Sequence, residues 1–183
     1  MEYARTAKEV LGELNRALQG IDEKEVTGFM ACLSRENRIF CDGAGRSRLQ
    51  AEGFAMRLAQ MGFLASVVGE ATAPAITSKD ILIILSGSGE TPVLLEHGKK
   101  AKKAGALVLA VTASPHSSLS DLCDAAVIVK ADRKDQVKGC SVQPMGTLFE
   151  QSAGILCDTM VLLLMDRFHI TGEEMFRNHS NLE

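Results

Sequence analysis

Residues 81–85 read Ile-Leu-Ile-Ile-Leu, and Ser86-Gly87-Ser88-Gly89-Glu90-Thr91 follows at once. An uninterrupted apolar run of this length suits a strand buried on both faces, the habit of parallel sheets covered by helices. A helical stretch follows, from about Thr91 to Ala104. A turn rich in glycine and hydroxyl groups is thereby set at the carboxyl end of a buried strand.

The same alternation recurs along the chain. Arg38 to Cys41 is a short apolar run ending in Asp42-Gly43-Ala44-Gly45-Arg46-Ser47, and a helix is expected from about Ser47 to Met61. Further strands are expected at 65–68, 106–111 and 125–129, with a short helix at 117–122. Two helices precede this pattern, at 2–19 and, capped by Asp22, to about residue 34. Lys130 to Gly139 carries no apolar period and reads as a loop. Gln143-Pro144-Met145-Gly146 opens a long helix to about Phe168, and a short helix ends near His179. The long helix is apolar almost all round, so burial on every side is expected, within one chain or between chains. The fold class that follows is α/β: a three-layer α-β-α sandwich around a five-stranded, mainly parallel sheet.

Composition narrows the functions. The 183 residues suit one domain with a sizeable core. Net charge is −3, and no basic stripe appears, so nucleic acid is not an expected partner. The five cysteines (Cys32, Cys41, Cys123, Cys140, Cys157) form no C-x-x-C pair and read as reduced thiols of a cytoplasmic protein, mostly buried. The N-terminal helix lacks the apolar core of a signal peptide, and Ile155 to Met165 is broken by Asp158 and too short to cross a bilayer. No membrane partner is expected.

In open α/β sheets ligands sit beyond the carboxyl ends of the strands. Two small-residue loops fall there: Gly43 to Ser47, and Ser86 to Thr91. In the second, glycines let backbone N–H groups approach an anion, Ser86, Ser88 and Thr91 add donors, and a helix supplies its positive end. It lacks the lysine of a nucleotide-binding P-loop, so a small phosphate monoester fits better. The plainer reading is a tight turn that caps a helix; the strand before it and the helix after it favour the anion. The first loop leaves a dinucleotide reading open, since Glu70 lies near the end of the second strand, but Arg48 occupies the place of the glycine that such a fold needs.

Together these loops resemble the sugar isomerase (SIS) family, a flavodoxin-like fold, and within it the 6-phospho-3-hexuloisomerases. The segments that carry the resemblance are Gly43 to Ser47, Phe54 to Leu58, Val67 to Glu70, Ser86 to Thr91, Gln143 to Gly146, Phe149 to Gln151, and the tail with Met175 and His179 to Glu183. They cover the chain from residue 39 onward. Two departures stand out: Arg48 where such proteins typically carry glycine, and Ala71 and Ala73 in a stretch usually holding threonines.

The resemblance implies a single SIS domain over 1–183, with helices 2–34 and 145–179 packed on it or on partner subunits. It implies interconversion of 3-hexulose 6-phosphate and fructose 6-phosphate, no cofactor, and a homotetramer in the cytoplasm. Gly45, Arg46, Ser47, Ser86, Gly87, Ser88, Gly89 and Thr91 would bind substrate or phosphate. The resemblance makes Glu150 the base that moves a proton between neighbouring carbons. From spacing alone Glu150 reads more readily as a helix-start acid paired with an arginine, with Ala153 and Gly154 leaving space beside it, and the resemblance reverses that order. The resemblance brings His179 to an active site, often a neighbour's; alone it reads as a solvated tail histidine. Glu90 would be repelled by phosphate and is expected to point away, bracing the loop or meeting sugar hydroxyls. Arg57 reads as structural and His97 as solvated. Arg48 either adds charge to the pocket or blocks it. No metal is expected, for want of an H-x-x-x-H pair or Cys/His cluster. The other functions that fit are a sugar-phosphate sensor without chemistry, an isomerase of another sugar phosphate, and a nicotinamide-binding module.

Overall fold

In the computed structural model, which describes residues 2–132 and 141–182, the Ile-Leu-Ile-Ile-Leu run is the middle strand of a five-stranded sheet. The strands are β1 (Arg38–Gly43), β2 (Leu64–Val67), β3 (Ile81–Leu85), β4 (Leu107–Thr112) and β5 (Ala125–Ile128). They lie in the order β2-β1-β3-β4-β5, and every pair is parallel. This is the flavodoxin-like strand order. All of β3 is buried, as its composition requires.

The helices are α1 (Tyr3–Gln19), α2 (Glu23–Ala31), α3 (Arg46–Gln60), α4 (Pro92–Lys103), α5 (Ser118–Leu122), α6 (Thr147–Phe168) and α7 (Gly172–Arg177). Side chains alternate across the sheet. Ile39, Cys41, Ile81, Ile83 and Leu85 meet Phe29, Phe54, Leu58 and Met160 of α2, α3 and α6 on one face. Phe40, Leu82, Ile84 and Val108 meet Leu94, Ala101 and Leu119 of α4 and α5 on the other. Each fully buried Leu or Ile contributes roughly 1.5–3 kcal/mol relative to exposure. Asp22 caps α2, its carboxylate accepting from Lys24 N at 2.8 Å. The N-terminal α1 lies on α6 through Leu14, Ala17 and Leu148.

Two sequence expectations become more specific. Of the two kinds of burial expected for the long helix, burial on every side within the chain is not found. Leu156, Met160 and Leu164 face the core, while Ile155, Leu162 and Leu163 are exposed. Its 22 residues hold an 18-residue stretch with a mean hydropathy of 1.5, long and apolar enough to cross a bilayer, but half of that stretch is buried in the fold. Cys41 and Cys157 are buried as expected, whereas Cys32 and Cys123 are only half-buried, and all four are free. Burial, with a smaller push from the Asp158 charge, takes the Cys157 thiol up to about 12, so it is inert at neutral pH. Cys140 and most of the expected 130–139 loop lie outside the described residues.

At the amino edge of the sheet, Asp80 is almost wholly enclosed. It accepts from Arg38 Nε at 2.9 Å and Nη2 at 2.7 Å, and from Thr77 N at 2.6 Å and Oγ1 at 2.8 Å. This edge is the one away from the two loops, and it ties the starts of β1 and β3 together.

Candidate active site

At the carboxyl edge of the sheet, β1 runs into α3, β3 runs into α4, and the first turn of α6 closes against both loops. The cleft between them is lined by Ala44, Ser47, Ser86, Gly87, Ser88, Thr91, Asp132, Met145, Gly146, Phe149 and Glu150. The starts of α3, α4 and α6 converge there, and their unpaired N–H groups favour an anion.

The serine-glycine turn is braced from within and from behind. Ser86 Oγ accepts from Gly89 N at 3.2 Å, and Ser88 Oγ accepts from Glu90 N at 3.2 Å. A hydroxyl that accepts one bond keeps its own proton to donate, so both can still give to a ligand. Behind the turn, Gly87 O accepts from Ala113 N at 3.2 Å and Ser114 Oγ at 3.1 Å. Glu90 turns outward and accepts from Ser118 N at 2.7 Å and Ser118 Oγ at 2.8 Å. Of the two roles expected for it, bracing is the one observed. Thr91 stands just before α4, with its hydroxyl not spent on capping.

Both glycines of the turn are demanded by space. A Cβ on Gly87 would sit 3.0 Å from the Phe149 ring, and Gly89 has φ +66 with Ser117 where its Cβ would go. Gly89→Ala therefore costs about 1–2 kcal/mol for the left-handed backbone alone, before the clash. The expected outcome is phosphate-ester affinity at least about tenfold weaker, measured by titration calorimetry.

The other wall is held from far away in sequence. Buried Glu13 of α1 accepts from Val142 N at 2.7 Å, Ser141 Oγ at 2.7 Å and Gln143 Nε2 at 3.0 Å. Burial alone would raise its carboxyl, but these donors outweigh it and hold it below the usual range. Asp132, another acid on the cleft wall, accepts from Ser141 N. Met145 and Gly146 then both adopt left-handed backbone (φ 60 and 79) and aim the chain into α6. Phe149 packs on Gly87, which brings Glu150 to the cleft.

Glu150 is largely buried, and its Oε2 lies 3.3 Å from Arg46 Nη1. The same Arg46 nitrogen donates to Thr147 Oγ1 at 3.1 Å. The ion pair that spacing alone suggested is thus present, beside the turn. The space expected next to Glu150 at Gly154 is taken: a Cβ there would collide with Gln50 of α3. Gly45 starts α3 at φ 59 and Ser47 is buried in its first turn. Arg46, Ser47, the Ser86–Thr91 turn and Glu150 lie together at this edge of the sheet, with Glu90 turned outward.

His179 is not brought to this cleft. Asn178 Nδ2 donates to the carbonyl of Gln60, the last residue of α3, at 2.9 Å. Ser47, on the cleft wall, is at the other end of that helix, about 20 Å away at 1.5 Å per residue. The exposed His179 donates from Nδ1 to Ser180 O at 2.8 Å and stacks on Phe176. Arg48 does not line the cleft; it pairs with Glu52 at 2.8 Å on α3. Glu70 folds back to accept from Val67 N at 3.3 Å. His97, expected on a solvated face, instead binds the buried Asp42 carboxylate through Nδ1 at 2.7 Å. Burial raises the Asp42 carboxyl, partly offset by the His97 hydrogen bond. Among the described residues, no three His, Cys, Asp or Glu side chains group as a metal site.

Comparison with known proteins adds to this geometry. The SIS domain family matches residues 32–152. A 3-hexulose-6-phosphate isomerase of Bacillus subtilis (strain 168) is 39% identical over 185 residues, covering 100% of both chains. One of Mycobacterium gastri is 38% identical over 164 residues, covering 89% of this chain and 82% of its own. The crystal structure of a Methanococcus jannaschii protein, from which a molecular function of 3-hexulose-6-phosphate isomerase was inferred, aligns with a TM-score of 0.84 at 28% identity. That alignment covers 98% of this chain and 99% of that one.

Proposed function

This chain belongs to the SIS-domain family, and within it we propose that it is an isomerase of 3-hexulose 6-phosphate and fructose 6-phosphate. Full-length similarity to isomerases of that name supports the substrate. The observation that carries the mechanism is a largely buried carboxylate, Glu150, on the same cleft as a turn suited to a phosphate ester.

The Ser86–Thr91 turn takes the 6-phosphate through its N–H groups and hydroxyls. Glu150 removes the proton from C2 of the 3-ketose as the C3 carbonyl becomes an enediolate. The carboxyl returns that proton to C3, and the O2 hydroxyl yields its proton to the enediolate O3, so that C2 becomes the carbonyl and C3 the hydroxyl-bearing carbon of fructose 6-phosphate. One C–H bond breaks and one forms, so the sugar's redox balance is unchanged and no cofactor is consumed. Arg46, already beside Glu150, is in place to meet the charge that develops on the sugar oxygens. The exposed apolar face of α6 supports association into a homotetramer, in which His179 of a second copy would complete the site. Free thiols fit a cytoplasmic enzyme, and the reaction would serve sugar-phosphate metabolism either in formaldehyde fixation or in pentose phosphate supply.

The test is turnover of 3-hexulose 6-phosphate, made freshly by an aldolase from ribulose 5-phosphate and formaldehyde. Fructose 6-phosphate is followed as NADPH through glucose-6-phosphate isomerase and dehydrogenase. Metal-independent turnover is the expected outcome. The distance of His179 from the cleft favours one second reading, a sugar-phosphate binder without chemistry. Tight fructose 6-phosphate binding with no turnover would establish that reading instead.

A further inference from the structure

We propose that Asp42 and His97 form a positioning pair that locks the Gly43–Ser47 loop to α4 and so sets the gap across which the sugar phosphate binds. The proposal rests on the reading of these two loops as the substrate site. Asp42 is the last side chain of β1 before the loop, and it is 2% exposed. Its Oδ1 accepts from Gly43 N at 2.9 Å, and its Oδ2 meets His97 Nδ1 at 2.7 Å. His97 sits on α4, less than two turns after Thr91. One carboxylate therefore joins the root of the first loop to the helix that begins at the second.

The link has little slack. A Cβ on Gly43 would lie 2.8 Å from Arg48 N and from the Ser47 carbonyl group. The end of β1 is thus pressed against the first turn of α3, and a shift at Asp42 passes directly to Arg46 and Ser47. Neither Asp42 nor His97 lines the cleft, so the pair acts through the loop and not on the ligand. His97 instead borders a second cavity, with Lys100 of its own helix and Glu70 after β2. Arg48 of α3 is the remaining charge acting on Asp42.

Asparagine and glutamine at position 97 separate this role from general structure. Both are polar and of modest size. Asparagine carries an amide nitrogen where His97 has Nδ1, three bonds from Cα; glutamine carries it one bond further out, near Nε2. His97→Gln is expected to raise KM and Kd for fructose 6-phosphate about tenfold with kcat within about twofold, and His97→Asn to keep both within about threefold. Kinetics give KM and kcat, and calorimetry gives Kd whether or not the enzyme turns over. Wild-type affinity in His97→Gln, or equal losses in both variants, overturns the pair's role while leaving the substrate assignment intact. A wild-type protein that binds no fructose 6-phosphate overturns the assignment and the proposal with it.

Discussion

Replacing Glu150 by glutamine is expected to lower kcat at least about a hundredfold, the lower end of what a positioned general base contributes. The amide keeps the shape of the carboxylate but cannot take a proton from carbon. Binding is a separate matter. In the proposed mechanism the phosphate is held by the Ser86–Thr91 turn, whose braces among the described residues run to Ala113, Ser114 and Ser118. The Kd for fructose 6-phosphate should therefore stay within about threefold of the wild type. Steady-state kinetics beside calorimetry reads both. Turnover at the wild-type rate would remove Glu150 as the base, and Asp132 is the next carboxylate on the cleft wall.

The second large effect is on stability, at the opposite edge of the sheet. Asp80 meets Arg38 with both oxygens and takes two more bonds from Thr77. Asp80→Ala removes the shared partner of a guanidinium and two Thr77 donors at the start of the central strand. Arg38 keeps a third of its side chain in water and Thr77 is exposed, so the loss is that of hydrogen bonds to a charged group, about 1.5–3 kcal/mol. For a chain of this size that lowers Tm by roughly 3–12 °C. The pH dependence has a definite sign. Burial would raise the Asp80 carboxyl, but Arg38 and Thr77 outweigh it and hold it below its usual value of 3.8. The pair's stabilisation is complete above pH 4 and disappears as pH falls through the lowered folded value. Urea unfolding at pH 7 and at pH 3 should show the wild type losing stability that Asp80→Ala never had. Equal pH dependence in the two proteins would contradict this.

Much of the fold is legible in local pattern. A five-residue apolar run needs cover on both faces, and that alone places β3 in the middle of a parallel sheet. The two small-residue loops then fall at one edge by topology. What local pattern could not supply is distance. Glu13 steadies residues 141–143 from more than 120 positions away, and its only trace in sequence is an acid beside the Val10-Leu14-Ala17 stripe. Asp42 ends an apolar strand, and nothing nearby announces His97 as its partner. Gly154 suggested free space beside Glu150, yet a glycine on a helix marks close approach just as well, and Gln50 occupies it. The apolar outer face of α6 has the same composition whether water or another chain covers it. The role proposed for Glu150 rests on family resemblance, because a first-turn acid paired with an arginine looks the same with or without catalysis.

Gly87 leans on the ring of Phe149, and that contact has a bearing on synthesis. A nascent chain that has emerged through β5 holds all five of the described strands and both small-residue loops, yet lacks the wall against which the serine turn is shaped. The site comes into being only when the last long helix docks. A sugar phosphate that binds it then rewards the finished chain alone, and its binding free energy adds to the stability of the whole fold, not to that of one loop.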